Sequence, residues 1–205
     1  MDYNEIVQTA LGYADREDLE VTNNVDFFLR IAESRINKRL DVGEMSARAQ
    51  IVTVTGQDYY DLPDDFKSLR DIKYTSDNVA GTVTLEYVNP KQGNDANQSG
   101  LTGSCLYTII AGQLQVIPTP ANGVVDLVYH QKLLPLTPAA PDNWLSADYP
   151  EIYVFGLLVE ISSFVKDAVA AKLWDERFQG AMTALADDDS SSRWSGTPLK
   201  VRIAR

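Results

Sequence analysis

The sequence holds one cysteine, Cys105, and one histidine, His130, in 205 residues. A lone cysteine excludes an intrachain disulfide framework and any multi-cysteine zinc site, and a lone histidine excludes a multi-histidine metal site. Positive charge is scarce: 18 Lys and Arg stand against 29 Asp and Glu, for a formal net charge of −11. That balance argues against a nucleic-acid-binding surface, which needs clustered Lys and Arg. Long apolar runs are missing too. The longest, Ile152 to Val159, falls far short of the roughly 20 residues that span a bilayer. Met1 to Glu5 has neither the basic start nor the apolar core of a signal peptide. The expectation is a soluble acidic protein made in the cytoplasm. No G-x-G-x-x-G and no phosphate-binding loop occurs.

What is present is ordinary globular composition, 44% apolar and 23% charged, in a chain long enough for one domain or two small ones. Tyr3, Ile6, Val7 and Leu11 form a short amphipathic pattern. Val25, Phe28, Leu29, Ala32, Ile36 and Leu40 follow the three- and four-residue steps of one helix face, with Arg30, Glu33, Arg35, Lys38 and Arg39 opposite. Asn23 or Asn24 is placed to cap this helix, and Gly43 to stop it.

The middle of the chain changes period. Arg48–Thr55, Phe66–Tyr74, Thr82–Val88, Leu106–Ile110, Gln113–Ile117 and Val124–His130 read as five or six short strands, the third with Val83, Leu85 and Tyr87 on a buried face. Ala111-Gly112 reads as a tight hairpin turn. Asn89 to Ser104 is poor in apolar residues and predicts an exposed loop. Leu133 to Asn143 carries Pro135, Pro138 and Pro141 and predicts an extended connector. Helix returns at Pro150, which suits a first helical position.

Ile152 to Val165 is apolar nearly all round, so it needs cover on several sides, and a neighbouring chain is the cover expected. Asp167 is placed to cap a last helix with Ala170, Leu173, Trp174, Phe178, Ala181, Met182 and Leu185 on one stripe. Asp187 to Ser192 reads as polar and flexible. Residues 190–205 hold four basic and no acidic side chains, so residues 1–189 carry −15 of the total −11. Such a tail reads as an arm that orders on a partner, most simply an acidic one.

Reactive constellations are thin. A Ser-His-Asp or Cys-His device needs a nucleophile, a base and an orienter in contact. Only His130 could serve as base and only Cys105 as thiol, and both fall on predicted strands of the sheet domain. Asp64-Asp65 and Asp187 to Asp189 read as solvated turn formers rather than as carboxylates facing across a cleft. The triplet also lacks the spaced oxygen ligands of a calcium loop. No catalytic, cofactor or metal residue is assigned.

Several motifs occur in a fixed order. Ile31-Ala32-Glu33-Ser34-Arg35-Ile36-Asn37 lies in the second helix, and Tyr60-Asp61-Leu62-Pro63-Asp64-Asp65-Phe66 in the sheet region. Asn143-Trp144-Leu145 is followed by Pro150-Glu151-Ile152-Tyr153-Val154-Phe155-Gly156-Leu157-Leu158-Val159-Glu160. Lys166-Asp167 and Trp174-Asp175-Glu176-Arg177-Phe178 come next. With the order of helices, β domain, connector, two helices and arm, this resembles the head-to-tail adaptors of tailed bacteriophages, the tail tubular protein A or head-completion adaptor family.

The fold class expected is α+β: a helical bundle of N- and C-terminal helices, an inserted antiparallel β-sandwich or barrel-like domain, and an extended C-terminal arm. The boundaries expected are 1–45 and 144–187 for the helices, 46–143 for the β domain with its connector, and 188–205 for the arm.

The resemblance implies a virion protein of the neck, a homo-oligomeric ring usually of twelve subunits under the portal protein. It would extend the channel through which phage DNA passes without specific binding, and offer a platform to tail nozzle or fibre proteins. Its helices would form the ring wall, and the β domain would project outward or toward the tail. The portal-docking arm maps onto Arg193, Trp194, Leu199, Lys200, Val201, Arg202, Ile203 and Arg205. Trp144, Tyr153, Phe155, Leu158, Trp174 and Phe178 are the expected inter-subunit or core anchors. The acidic body either repels DNA from a channel wall or simply keeps the protein soluble, and the sequence leaves both open. Two other classes compete: a peptidoglycan-degrading virion hydrolase, and a DNA-binding module.

Overall fold

A computed structural model of the chain describes residues 1–16, 18–77, 81–98 and 106–194. It divides into two compact units, Met1–Glu44 with Leu133–Arg205, and Met45–Lys132.

The first unit is helical. Helix α1 (Tyr3–Ala14) opens on a capping box, with Glu5 N donating to Asp2 Oδ1 at 2.8 Å and Asp2 N to Glu5 Oε2 at 2.9 Å. It buries Tyr3, Ile6, Ala10 and Leu11. After the single turn of α2 (Leu19–Thr22), α3 (Val25–Arg39) buries the predicted stripe, ending on Leu40. Its capping differs from expectation. Asn24 stands at the cap, but its side-chain amide donates to Glu20 O at 2.8 Å instead of its oxygen accepting from the helix. The C-terminal part holds α5 (Trp144–Asp148), α6 (Pro150–Phe164) and α7 (Ala168–Trp194). Pro150 is at the start of α6 as expected. Asp167 Oδ1 accepts from Val169 N at 3.1 Å and Ala170 N at 3.0 Å, capping α7.

Two expectations about these helices change. Helix α6, apolar nearly all round, is covered within its own unit by α1, α3, α5 and α7, so its composition does not call for a neighbouring chain. It is the central helix of a bundle. The stretch from Asp187 to Ser192 is helix, not a flexible segment, and α7 runs through residue 188, where the arm was expected to begin. Its polar side chains find partners there. Ser190 and Ser191 hydroxyls donate to Asp187 O at 3.0 Å and Asp188 O at 2.9 Å, and Tyr149 OH donates to Asp188.

The second unit is a sandwich of two four-stranded sheets. Strands β1 (Ser46–Thr53), β8 (Gly123–Gln131), β3 (Phe66–Ser76) and β4 (Thr82–Thr84) lie in that order in the first sheet, all antiparallel. Strands β2 (Tyr59–Asp61), β7 (Gln113–Ile117), β6 (Leu106–Ile110) and β5 (Glu86–Tyr87) make the second, with β5 and β6 parallel. Ile72, Tyr74, Val125, Leu127 and Tyr129 from one sheet meet Tyr60, Leu114 and Val116 from the other in one core. The β6–β7 turn has φ 52° at Ala111 and 81° at Gly112, the left-handed pair of a two-residue hairpin.

The predicted strand Thr82–Val88 is broken. Leu85 N still donates to Ile72 O of β3 at 3.1 Å, and beyond it the chain changes sheets, so β4 pairs in one and β5 in the other. Only Leu85 is buried, and Val83 and Tyr87 are exposed. The expected loop from Asn89 contains a helix, α4 (Pro90–Gln98), packed on β6 and β7. Asn89 Oδ1 accepts from Gln92 N at 2.9 Å and Pro90 takes the first helical position, a start signal that polar composition masks. The rest of that segment and Cys105 lie outside the described residues.

Space at the centre of the bundle is tight. A Cβ on Gly156 of α6 would stand 3.1 Å from Ala32 Cβ and 3.2 Å from Phe178 Cε2. Gly156→Leu is expected to lower stability by about 3 kcal/mol through overpacking, measured by denaturant unfolding of the full chain.

Candidate functional site

Glu33, Asn37 and Asn143, all from the motifs of the helical unit, converge on its proline-rich segment. Leu133 to Pro141 carries three prolines and forms neither helix nor strand, apart from an isolated bridge between Thr137 and Ala140. Its backbone groups still need partners where they are buried. Polar side chains and one backbone group supply them. Asn37 Oδ1 accepts from Leu133 N at 2.7 Å, Glu33 Oε1 from Leu136 N at 2.6 Å, and Asn143 Nδ2 donates to Leu134 O at 2.7 Å. Pro141 O accepts from Tyr3 N at 2.7 Å.

Asn143 uses its whole amide. Its oxygen caps α5 by accepting from Ser146 N at 2.9 Å, and its nitrogen also donates to the buried Tyr153 hydroxyl at 2.8 Å. Burial pushes the Tyr153 phenol far above its ordinary pKa, so that hydroxyl stays neutral. Glu33 sits on the face assigned to solvent, yet it is 6% exposed. Burial raises its carboxyl pKa, while the Leu136 N–H and the Arg30 charge oppose the rise.

A second cluster ties three helices. Arg35 of α3 lies 3.1 Å from Glu160 of α6, pairs with Asp175 of α7, and places its guanidinium 5.1 Å over the Phe178 ring. Of the expected anchors, Phe178 touches it. Tyr153, Leu158 and Phe178 are fully buried, and Trp144, Phe155 and Trp174 are half-buried. Trp174 stacks on Phe155 at 5.9 Å and meets Tyr13 edge-on at 6.0 Å. These six residues all have places in the helical unit, five of them on α6 and α7. Arg193 and Trp194 end α7, while Leu199, Lys200, Val201, Arg202, Ile203 and Arg205 lie outside the described residues.

Glu33, Arg35, Asn37, Asn143 and Glu160 were given no role by the sequence reading. Their signal was there: Glu33 and Asn37, four residues apart, flank the apolar stripe of α3, where side chains reach whatever crosses the helix.

Among the described residues the candidate reactive groups do not assemble, and Cys105 lies outside them. His130 is buried on β8, opposite Ser46 and Ser68. Asp65 accepts from Tyr129 OH at 2.9 Å, and Asp189 from Gly43 N at 2.7 Å. A depression on the first sheet carries charges of both signs, of which Asp126 accepts from Gln50 and Lys73 pairs with Asp71. Among the described residues no cluster could hold a metal ion, and no helix is long and apolar enough to cross a membrane.

The residues that carry the resemblance therefore build an architecture, and the class they define is the phage head-to-tail adaptor, a structural virion protein. The chain matches the SU10 adaptor protein family over residues 1–202 and belongs to that family. No curated protein matches the chain closely enough to be compared.

Two outcomes check this site. Asn143→Ala removes a helix cap and unpairs the Tyr153 hydroxyl and the Leu134 carbonyl, and is expected to cost about 3 kcal/mol in denaturant unfolding. Because the folded state raises the Glu33 pKa, its contribution is complete below the ordinary glutamate range and is lost as pH rises through the raised value. Glu33→Gln keeps the acceptor for Leu136 N without the charge. The stability of the natural chain relative to this variant should therefore fall as pH rises from about 4 to about 8.

Proposed function

We propose that the protein is a ring-forming head-to-tail adaptor, usually of twelve copies as the resemblance implies, bound under the portal vertex. It extends the DNA channel and serves as the platform for tail nozzle or fibre proteins. The family match over residues 1–202 carries this reading. Charge supports the docking arm: residues 190–205 are purely basic at the end of an otherwise acidic chain, and a tail of that kind needs an acidic seat. The residues given to docking are Arg193, Trp194, Leu199, Lys200, Val201, Arg202, Ile203 and Arg205. DNA passes through the ring without specific contacts, in keeping with the acidic balance.

Helix α7 extends to Trp194, so the informative truncation follows that residue and spares the helix. A chain lacking 195–205 should unfold at an unchanged temperature yet fail to co-sediment with portal-containing heads that bind the full chain. Retained binding by the truncated chain would remove the arm from the docking role. Heads that bind neither chain would remove the adaptor role.

A further inference from the structure

Helix α7 presents an outward stripe that the described residues of its own unit leave uncovered. Val169 is 83% exposed and Leu173 47%, and Glu176, Gly180, Ala184 and Asp187 continue the stripe, all exposed. Gly180 lies in the interior of a 27-residue helix, and a Cβ there would meet nothing within 4 Å. Interior glycine costs a helix about 1 kcal/mol relative to alanine. At Gly156 packing inside the unit accounts for the missing side chain, and at Gly180 nothing among the described residues does. A bare backbone facing open space admits the close approach of a second helix.

Helix α3 offers the matching surface. Phe27 is 60% exposed, and Arg30, Ser34 and Lys38 follow it on the same outward face. The intervals from Phe27 through Arg30 and Ser34 to Lys38 are three, four and four residues. From Leu173 through Glu176 and Gly180 to Ala184 they are again three, four and four. Laid parallel, the stripes bring Phe27 to Leu173, Arg30 to Glu176, Ser34 to Gly180, and Lys38 toward Asp187. Apolar meets apolar, small meets small, and basic meets acidic. The two other cations on this part of α7 are engaged within the helix, Lys172 with Glu176 at 3.9 Å and Arg177 over Trp174.

Direction agrees with this. Within one subunit Arg35 pairs with Asp175, and four residues on, Arg39 donates to Gln179, so α3 and α7 run in the same sense. A cyclic ring turns each copy about one axis, and helices aligned with that axis keep their sense in the next copy. We propose that the ring closes through a parallel seam, with the Phe27–Lys38 stripe of α3 in one copy seated on the Leu173–Ala184 stripe of α7 in the next. The inference rests on the ring reading above and names its contact. A second copy is the occupant because this chain carries both the basic and the acidic half of the match, on different helices, which is what a heterologous closing contact requires.

The test uses the full chain bound to portal-containing heads, with Cys105→Ser so that only introduced thiols react. The double variant Ser34→Cys with Gly180→Cys, treated with a short bismaleimide, should give a ladder of dimer, trimer and higher multiples. Neither single-cysteine chain should cross-link to itself. A chain present on the heads that stays monomeric, dimers from a single-cysteine chain, or cross-links to a protein of another size would each overturn the seam. Absence of the chain from the heads would instead sink the adaptor reading. Arg30→Glu and Glu176→Arg should each reduce the copies retained about tenfold in chains that circular dichroism shows to be folded, with the double reversal restoring them. Full retention by both single reversals would equally count against the seam.

Discussion

The helical unit depends on one constraint: a connector with three prolines must pass over it without a ladder of its own. Proline removes backbone donors and blocks helix, so the remaining N–H and C=O groups need partners from elsewhere. Glu33, Asn37 and Asn143 provide them, and each is aimed by a helix that packing has already placed. Asn143 links that strap to the core directly, since the same amide that holds Leu134 also holds the buried hydroxyl of Tyr153 in the first turn of α6. Loosening the connector would therefore unpair groups at the centre of the bundle, where an unmade hydrogen bond costs more than a made one contributes.

The same geometry explains where the apolar surplus goes. Helix α6 buries nine residues around its circumference against four other helices of its own unit. Arg35 adds a charged clamp at the edge of that packing, reaching Glu160 and Asp175 while resting on Phe178. Once the central helix is satisfied internally, contacts with other copies have to be sought on outward faces. Those of α3 and α7 are mixed, with isolated apolar residues set among charges. Mixed surfaces favour contacts whose register is set by charge and shape rather than by bulk burial.

Much of this could be read from the chain, and the failures have a common cause. The α3 stripe, the Ala111-Gly112 turn, Pro150 at a helix start and the Asp167 cap are local signals, and local signals survive into the structure. Glu33 was misplaced because helical periodicity puts it among charges, while a segment about a hundred residues away decides its environment. Tertiary context also splits Thr82–Val88 at Leu85, which enters the sandwich core and sends its flanks to different sheets. The helices at Pro90–Gln98 and through Asp187–Ser192 were hidden by composition: polar residues suggest loops, yet a cap and serine hydroxyls bonded to the preceding turn let them continue a helix.

The motifs that reveal the relationship have a bearing on function. Glu33, Arg35 and Asn37 sit in the Ile31–Asn37 motif, Asn143 in Asn143-Trp144-Leu145, Gly156 and Glu160 in Pro150–Glu160, and Asp175 and Phe178 in Trp174–Phe178. Each of these residues either holds the connector, joins the ion-pair cluster or keeps the bundle closely packed. A pattern assembled from such residues reports a frame, not a reaction. The properties that differ between one adaptor and another must then reside outside it, in groups the frame leaves uncommitted. In this chain those are, among the described residues, the outward stripes of α3 and α7. A frame held by internal hydrogen bonds can carry changes at such surfaces without losing its shape, since sites that share no partners act nearly independently on stability.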